Sequence, residues 1–429
     1  MSGGGRRERT RPLDPGAADD LLAGLDGFSR SAHGFASRVR GALASLPWWV
    51  QVGLVWLVSR LFVAGWTVVA LSRQASVLHL ESVPGNYFEY ASIWDGTFYR
   101  SIHDGGYPGE IVIGEGGAGR GGEWAFLPVY PLLVRVVTAL TPLGWPVAAT
   151  TVSLLVSLGF LLIAYRLFVA RTDDVTALAA IALLSFSPAA AVLQYAYAES
   201  LGLFLVALAL LLMSGGRYAL AGAVVVLAAL TRPLGVPLFV AVCVIAVTVA
   251  VAHRRSGGPV PVRSWWSLGG LVAAAALGAV LWPILAAAGT GLPAAYLRVE
   301  GAWHGGVHPP LYAFLGSLVV ELGRPAGLAV AIVVVVGFVM LMLSRAVRRL
   351  GMVMWAWVGA VLGYLILLTP VSSSTPRLLL SAFPLALAAA GVSRSRWYRG
   401  LLIVLLAVLQ AGYILVLWHL RDGITDHSP

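Results

Sequence analysis

Apolar residues run along this chain in blocks of about 14 to 25, separated by short polar stretches rich in Arg, Gly and Pro. A helix needs about 20 apolar residues to cross a bilayer, and fewer where neighbours or tilt compensate. The blocks predict spans at 48–71, 147–170, 174–191, 199–214, 218–231, 233–252, 266–289, 326–344, 351–369, 377–391 and 400–419. A twelfth block, 125–141, is interrupted by Pro128 and Pro131 and carries Arg135. The expected fold class is therefore an all-α polytopic membrane protein with about 11 transmembrane helices and a long first loop carrying interfacial helices.

Composition agrees with lipid as the solvent. Hydrophobic residues are 59% of the 429 positions and charged residues 11%, and mean hydropathy is +0.85, beyond what a soluble domain can bury. The +10 net charge sits in short Arg clusters between apolar runs, the pattern of topology-setting loops and not of a nucleic-acid surface. Cys243 is the only cysteine, so no intrachain disulfide forms.

Arg placement orients the chain. If 125–141 returns to the interface without spanning, one side holds Arg166/Arg171, Arg217, Arg254/Arg255/Arg263, Arg345/Arg348/Arg349 and Arg394/Arg396/Arg399, together with the basic N-terminal tail. By the positive-inside rule that side is cytoplasmic. Segments 72–146, 188–199, the turn at Arg232, 290–325 and 370–377 then face outward. Three regions follow: a disordered basic tail over 1–45, with a short amphipathic helix possible over 21–39, a transmembrane domain over 46–420 and a short tail over 421–429. The expected location is the cell membrane, multi-pass, with the N-terminus cytoplasmic and the loop 72–146 extracytoplasmic.

That loop is too long to be a mere connection. It holds Glu81, Glu89, Asp95, Asp104, Glu110, Glu115 and Glu123. Its densest cluster runs from Ile93 to Ile102, and as a helix over 93–103 it sets Asp95, Tyr99 and Ile102 on one face. A carboxylate framed by Trp94 and Tyr99 at a membrane surface suits a sugar, with aromatic faces on C–H bonds and the carboxylate accepting from hydroxyls. The same composition also suits an interfacial aromatic belt with a solvated Asp. The Gly-rich run Gly114 to Gly122 lacks the Lys-Ser/Thr ending of a phosphate loop and reads as a loop tip. His304 and His308 lie on a Gly-broken stretch without a third ligand, so no metal site is expected.

Trp94-Asp95, Tyr99, Gly106-Tyr107, Glu123 and Phe126-Leu127-Pro128-Val129-Tyr130-Pro131 resemble the first luminal loop of the second GPI mannosyltransferase (PIG-V) family of GT-C membrane glycosyltransferases. Leu127 stands where that family has a second Phe. Ser187-Pro188 with Tyr197-Ala198-Glu199-Ser200-Leu201, then Thr231-Arg232-Pro233-Leu234-Gly235, and Thr375-Pro376-Arg377 through Pro384 resemble its later segments, progressively more loosely. The resemblance implies inverting transfer of mannose from a polyprenyl-phosphate donor to a lipid-linked or envelope acceptor outside the cytoplasm. It implies Asp95 as the catalytic base; no cofactor is expected, and the metal requirement is not read from the sequence. It also gives Trp94, Tyr99, Tyr107, Glu123 and Glu199 as donor- or acceptor-binding residues.

A leaving phosphate calls for cations, for which Arg232, Arg298 and Arg377 are available, although snorkelling to headgroups is the ordinary role of each. Arg60, near the middle of the first span, needs a partner or an aqueous cavity and joins the binding set. A polytopic transporter or lipid flippase with an acidic gating loop is the alternative from another class, and a non-catalytic scaffold subunit a third. A transporter would concentrate charge at the midplane of several spans, whereas here the charges lie at span ends, Arg60 excepted. A reporter inserted after Gly117 should report the non-cytoplasmic side, and a cytoplasmic signal would remove the catalytic reading of the loop.

Overall fold

The structure, a computed structural model, describes residues 45–74, 84–111, 122–256, 262–302 and 309–418. Glu81, Glu115, His304, His308 and the expected helix over 21–39 lie outside the described residues. The chain divides into two compact units, 1–51 and 52–429. In the first, Gln51 Nε2 donates to Leu46 O at 2.9 Å over the opening turn of a helix. All regular structure among the described residues is helical.

The principal helices are α1 (Trp48–Ser72), α2 (Asp95–Gly105), α3 (Val129–Leu140), α4 (Trp145–Val169), α5 (Asp174–Ser185), α6 (Glu199–Ser214), α7 (Tyr218–Ala229) and α8 (Gly235–Ser256). There follow α9 (Val262–Thr290), α10 (Ala295–Ala302), α11 (Tyr312–Leu322), α12 (Arg324–Leu343), α13 (Met352–Leu368), α14 (Thr375–Leu379), α15 (Leu385–Ala390) and α16 (Arg396–Leu417). Packing runs α4 on α6, α6 on α7, α7 on α9, and α8 between α9 and α13. Close approach needs small residues: a Cβ at Gly235 of α8 would fall 2.6 Å from Gly278 O of α9.

Among the described residues six helices, α1, α4, α8, α9, α12 and α16, are long and apolar enough to cross a membrane, and α5 with the 3₁₀ stretch Pro188–Gln194 makes a seventh if that pair, bent by 81°, is one span. Their outer faces keep large apolar side chains uncovered, among them Leu61, Ile332, Val333 and Leu401, which only lipid accommodates at this density. The expected eleven spans thus differ from the structure in length more than in position. Segments 199–214, 218–231 and 351–369 become α6, α7 and α13, with 16, 12 and 17 residues, short of a full crossing. Segment 377–391 is split among α14, a 3₁₀ turn and α15, where Pro384 removes a backbone donor. Block 125–141, expected at the interface, forms the 12-residue α3.

The bend after α5 leaves carbonyls without helical partners, and buried side chains supply them. Arg60 of α1 donates to Ala190 O at 2.8 Å and Ser185 O at 3.0 Å, and Gln410 Nε2 of α16 donates to Ser187 O at 2.9 Å. Substituting Arg60→Met is expected to cost about 2 kcal/mol through the orphaned carbonyls, measured by denaturant titration in detergent. An unchanged midpoint would show that the bend does not rely on Arg60.

Candidate functional site

The segments flanking Asp95 and Glu199 are stitched together by their backbones. Ala196 N donates to Ala91 O at 2.9 Å, Ser153 Oγ of α4 donates to Tyr197 O at 3.0 Å, and Asp95 N donates to the Tyr197 hydroxyl at 3.3 Å. Gly96 permits the approach, since a Cβ there would sit 3.4 Å from Ala196 Cβ. Helix α2 begins at Asp95, two residues later than the expected 93–103, and buries Gly96, Tyr99 and Ile102. Its last carbonyls accept from Arg135 of α3, Nε to His103 O and Nη2 to Ile102 O, both at 2.9 Å, where a cation also suits the helix dipole. Tyr99 packs edge-on against Phe126 and Tyr130, with centroids at 5.2 and 5.0 Å.

Two further segments bring the cations. Val129 N donates to Leu230 O at 3.2 Å, tying the start of α3 to the turn that carries Arg232. The stem of Arg232 crosses α6 at Gly202, where a Cβ would stand 2.9 Å from Arg232 Cγ, so Gly202 lets Arg232 reach Glu199 one turn away. Arg377 enters from α14 with its guanidinium 5.3 Å from the Tyr197 ring centroid.

The result is a buried four-charge cluster. Arg377 Nη1 donates to Asp95 Oδ2, and Arg377 Nε lies 3.4 Å from Glu199 Oε1. Arg232 Nη2 is 3.1 Å from the same Glu199 oxygen and its Nη1 is 4.0 Å from Asp95 Oδ2. Burial works against the charge on both guanidiniums. Asp95 and Glu199 outweigh it at Arg377, and Glu199 with Tyr99 outweighs it at Arg232, so both are held above the ordinary arginine value. Neither Glu199 oxygen has a hydrogen bond of good geometry, nor does Arg377 Nε or the buried Tyr413 hydroxyl of α16.

Trp94, which precedes Asp95, stands at φ 60° and ψ −124°, a strained conformation for a residue with a Cβ, and its buried indole N–H has no acceptor. Unsatisfied polar atoms and backbone strain in one place are what a binding site, rather than a packed core, retains.

Of the residues singled out from sequence, Asp95, Glu199, Arg232 and Arg377 meet in this cluster, with Trp94 and Tyr99 against it. Tyr107 and Glu123 lie elsewhere. The Tyr107 hydroxyl donates to Phe126 O at 2.8 Å and its ring packs on Trp124 and Trp282, while Glu123 accepts from Ser101 Oγ at 2.5 Å. Both brace the loop. Arg60 spends its donors on the bend after α5, and Arg298 of α10 takes part in none of the cluster's ion pairs. Among the described residues no group of three His, Cys, Asp or Glu could hold a metal.

Three members escaped the sequence reading. Tyr197 lay inside a quoted motif without a role, and Tyr413 lay in an apolar run with no distinguishing signal. Glu300 of α10 is the third. Burial pushes its carboxyl up to about 7 against a hydrogen bond from Tyr296 and the nearby charge of Arg232, with Asp95 adding to the rise.

No protein-family profile and no curated protein matches this chain. Among solved structures it is similar to the Archaeoglobus fulgidus oligosaccharyltransferase, determined in complex with Zn and sulfate, at 15% identity and a TM-score of 0.39 over 84% of this chain. That match covers 53% of the other chain, so this chain spans about half the length of that structure.

Because Glu300 is protonated more readily folded than unfolded, its contribution to stability is complete below its unfolded value of 4.5 and is lost as pH rises through about 7. Thermal midpoints of wild type in detergent should therefore fall from pH 5 to pH 8 relative to Glu300→Gln, and parallel curves would contradict the assignment.

Proposed function

We propose that the chain is a GT-C-type membrane glycosyltransferase that moves a sugar, mannose by its sequence resemblance, from a polyprenyl-phosphate donor to a hydroxyl of a lipid-linked or envelope acceptor on the extracytoplasmic side. The observation that carries this reading is the sharing of two arginines between Asp95 and Glu199 at the ends of apolar helices. Such a cluster holds both a base and the positive charge that a phosphate leaving group requires.

At rest Asp95 is ion-paired with Arg377. A donor phosphate competes for the Arg232 and Arg377 guanidiniums, for which its geometry suits it, and frees a carboxylate oxygen of Asp95. Asp95 then takes the proton of the acceptor hydroxyl as that oxygen bonds to the anomeric carbon. The bond from that carbon to the phosphate oxygen breaks, and polyprenyl phosphate departs with the electron pair. Glu199 keeps its contact with both arginines and acts as a positioning residue. The Trp94 ring offers a face for the sugar and an unused N–H for one of its hydroxyls.

The break between α5 and Pro188–Gln194 is the one observation that favours a transporter or flippase, since broken spans are common in that class. The two readings separate in an assay with labelled polyprenyl-phosphate-mannose and membranes as acceptor. Wild type should transfer label, and Asp95→Asn should lower the rate by about 10²- to 10⁴-fold. Transfer undiminished in Asp95→Asn would sink the base assignment, and movement of label between leaflets without transfer by wild type would favour the transporter.

A further inference from the structure

Away from the carboxylate cluster, three of the Arg groups set apart by sequence converge on one cavity of about 500 Å³. It lies between the turn joining α4 to α5, the turn joining α12 to α13, and the turn joining α15 to α16. Its lining includes Arg171, Arg345, Arg349, Arg394 and Arg399, with Asp173 as the only carboxylate. The cavity sits at the opposite end of α16 from the first site. Arg399 is in the first turn of α16 and Tyr413 is 14 residues further on, a rise of about 21 Å.

The charges in this cavity are only partly balanced from within, by Asp173, which lies close enough to Arg399 to feel its charge. Asp173 caps α5, accepting from Thr176 N at 2.9 Å and from Thr176 Oγ1 at 2.9 Å, so its oxygens are already engaged. Arg399 is buried, yet its hydrogen bonds go to neutral acceptors: Ala390 O and Ser393 O at 3.1 Å and Thr176 Oγ1 at 2.8 Å. Arg171 is exposed at the rim of the cavity. It lies over Gly351, at φ +82°, where a Cβ would be 2.5 Å from Arg171 Cζ. Among the described residues no carboxylate lies within ion-pairing distance of Arg171, Arg345, Arg349, Arg394 or Arg399. Arg171, Arg345, Arg349 and Arg394 are exposed around this concave space and Arg399 is buried beside it, so the cavity presents an excess of positive charge that an entering anion would offset.

We propose that this cavity is a binding site for a phosphate group, supplied by the headgroup of an anionic phospholipid. The forked geometry of arginine suits phosphate oxygens, and the volume is that of a small-ligand site. The lipid source is argued from position, because the cavity lies at the ends of apolar helices beside exposed Val392 and Trp397, apolar side chains suited to the boundary between headgroups and acyl chains. The site is independent of the transferase reading.

Thermal midpoints of the full chain in neutral detergent would be measured with added phosphatidylglycerol, phosphatidylcholine, or inorganic phosphate at matched ionic strength. Three proteins are compared: wild type, the cavity variant Arg345→Gln/Arg349→Gln/Arg394→Gln, and a charge-matched variant Arg166→Gln/Arg348→Gln/Arg396→Gln, whose residues do not line the cavity. Phosphatidylglycerol should raise the midpoint of wild type and of the matched variant. Its apparent affinity should fall at least tenfold in the cavity variant, and lipid adducts in native mass spectra should fall in parallel. Equal loss in both variants would assign the effect to diffuse surface charge and overturn the site. A full rise with inorganic phosphate alone, lost in the cavity variant, would overturn the lipid as its source. No rise in wild type with either would overturn the proposal altogether.

Discussion

The arrangement of the segments that meet beside α2 depends on mutual charge compensation among Asp95, Glu199, Arg232 and Arg377. No one of these groups could be buried alone, since an isolated charge in a low-dielectric interior costs several kcal/mol even after relaxation. With two carboxylates and two guanidiniums each charge has an opposite neighbour, and the four segments that carry them are held at one place. The hydrogen bonding is incomplete nonetheless, with Arg377 Nε and both Glu199 oxygens short of good partners. A cluster compensated in charge but not in hydrogen bonds stays in place while remaining able to exchange partners.

What surrounds the cluster explains how it is held. A backbone hydrogen bond, Ala196 N to Ala91 O, joins the chain before Asp95 to the chain before Glu199. The aromatic contacts of Tyr99 with Phe126 and Tyr130 fix α2 to α3, and Arg135 closes the end of α2. Other residues singled out from the sequence make structural contacts: Tyr107 and Glu123 bond within the loop, and Arg60 bonds the backbone of the bend.

The two ends of the helices differ in their electrostatics. At one end arginines and carboxylates are matched, and at the other five arginines face a single, already engaged Asp173. Both clusters present guanidiniums, whose fork suits phosphate oxygens, in different settings. The first offers cations that are shared with carboxylates, the second an excess of cations over its one lining carboxylate, Asp173.

The sequence alone determined that the chain is helical and apolar enough for lipid, because composition and block length carry that information directly. Arg distribution also grouped 72–146, 188–199, Arg232, 290–325 and 370–377 on one side, and each of these segments supplies a charged residue at or near the cluster: Asp95, Glu199, Arg232, Glu300 and Arg377. Span lengths were less legible, since a run such as 377–391 reads as continuous although Pro384 and the turns of α14 break it. Only tertiary structure decided which carboxylate meets which arginine, that Tyr197 supports the backbone of Asp95, and that Tyr413 and Glu300 face the same space. The physical reason is range. Hydropathy is a sum over neighbours in sequence, whereas an ion pair such as Arg377 with Asp95 joins residues 282 positions apart and depends on the packing of every helix between them.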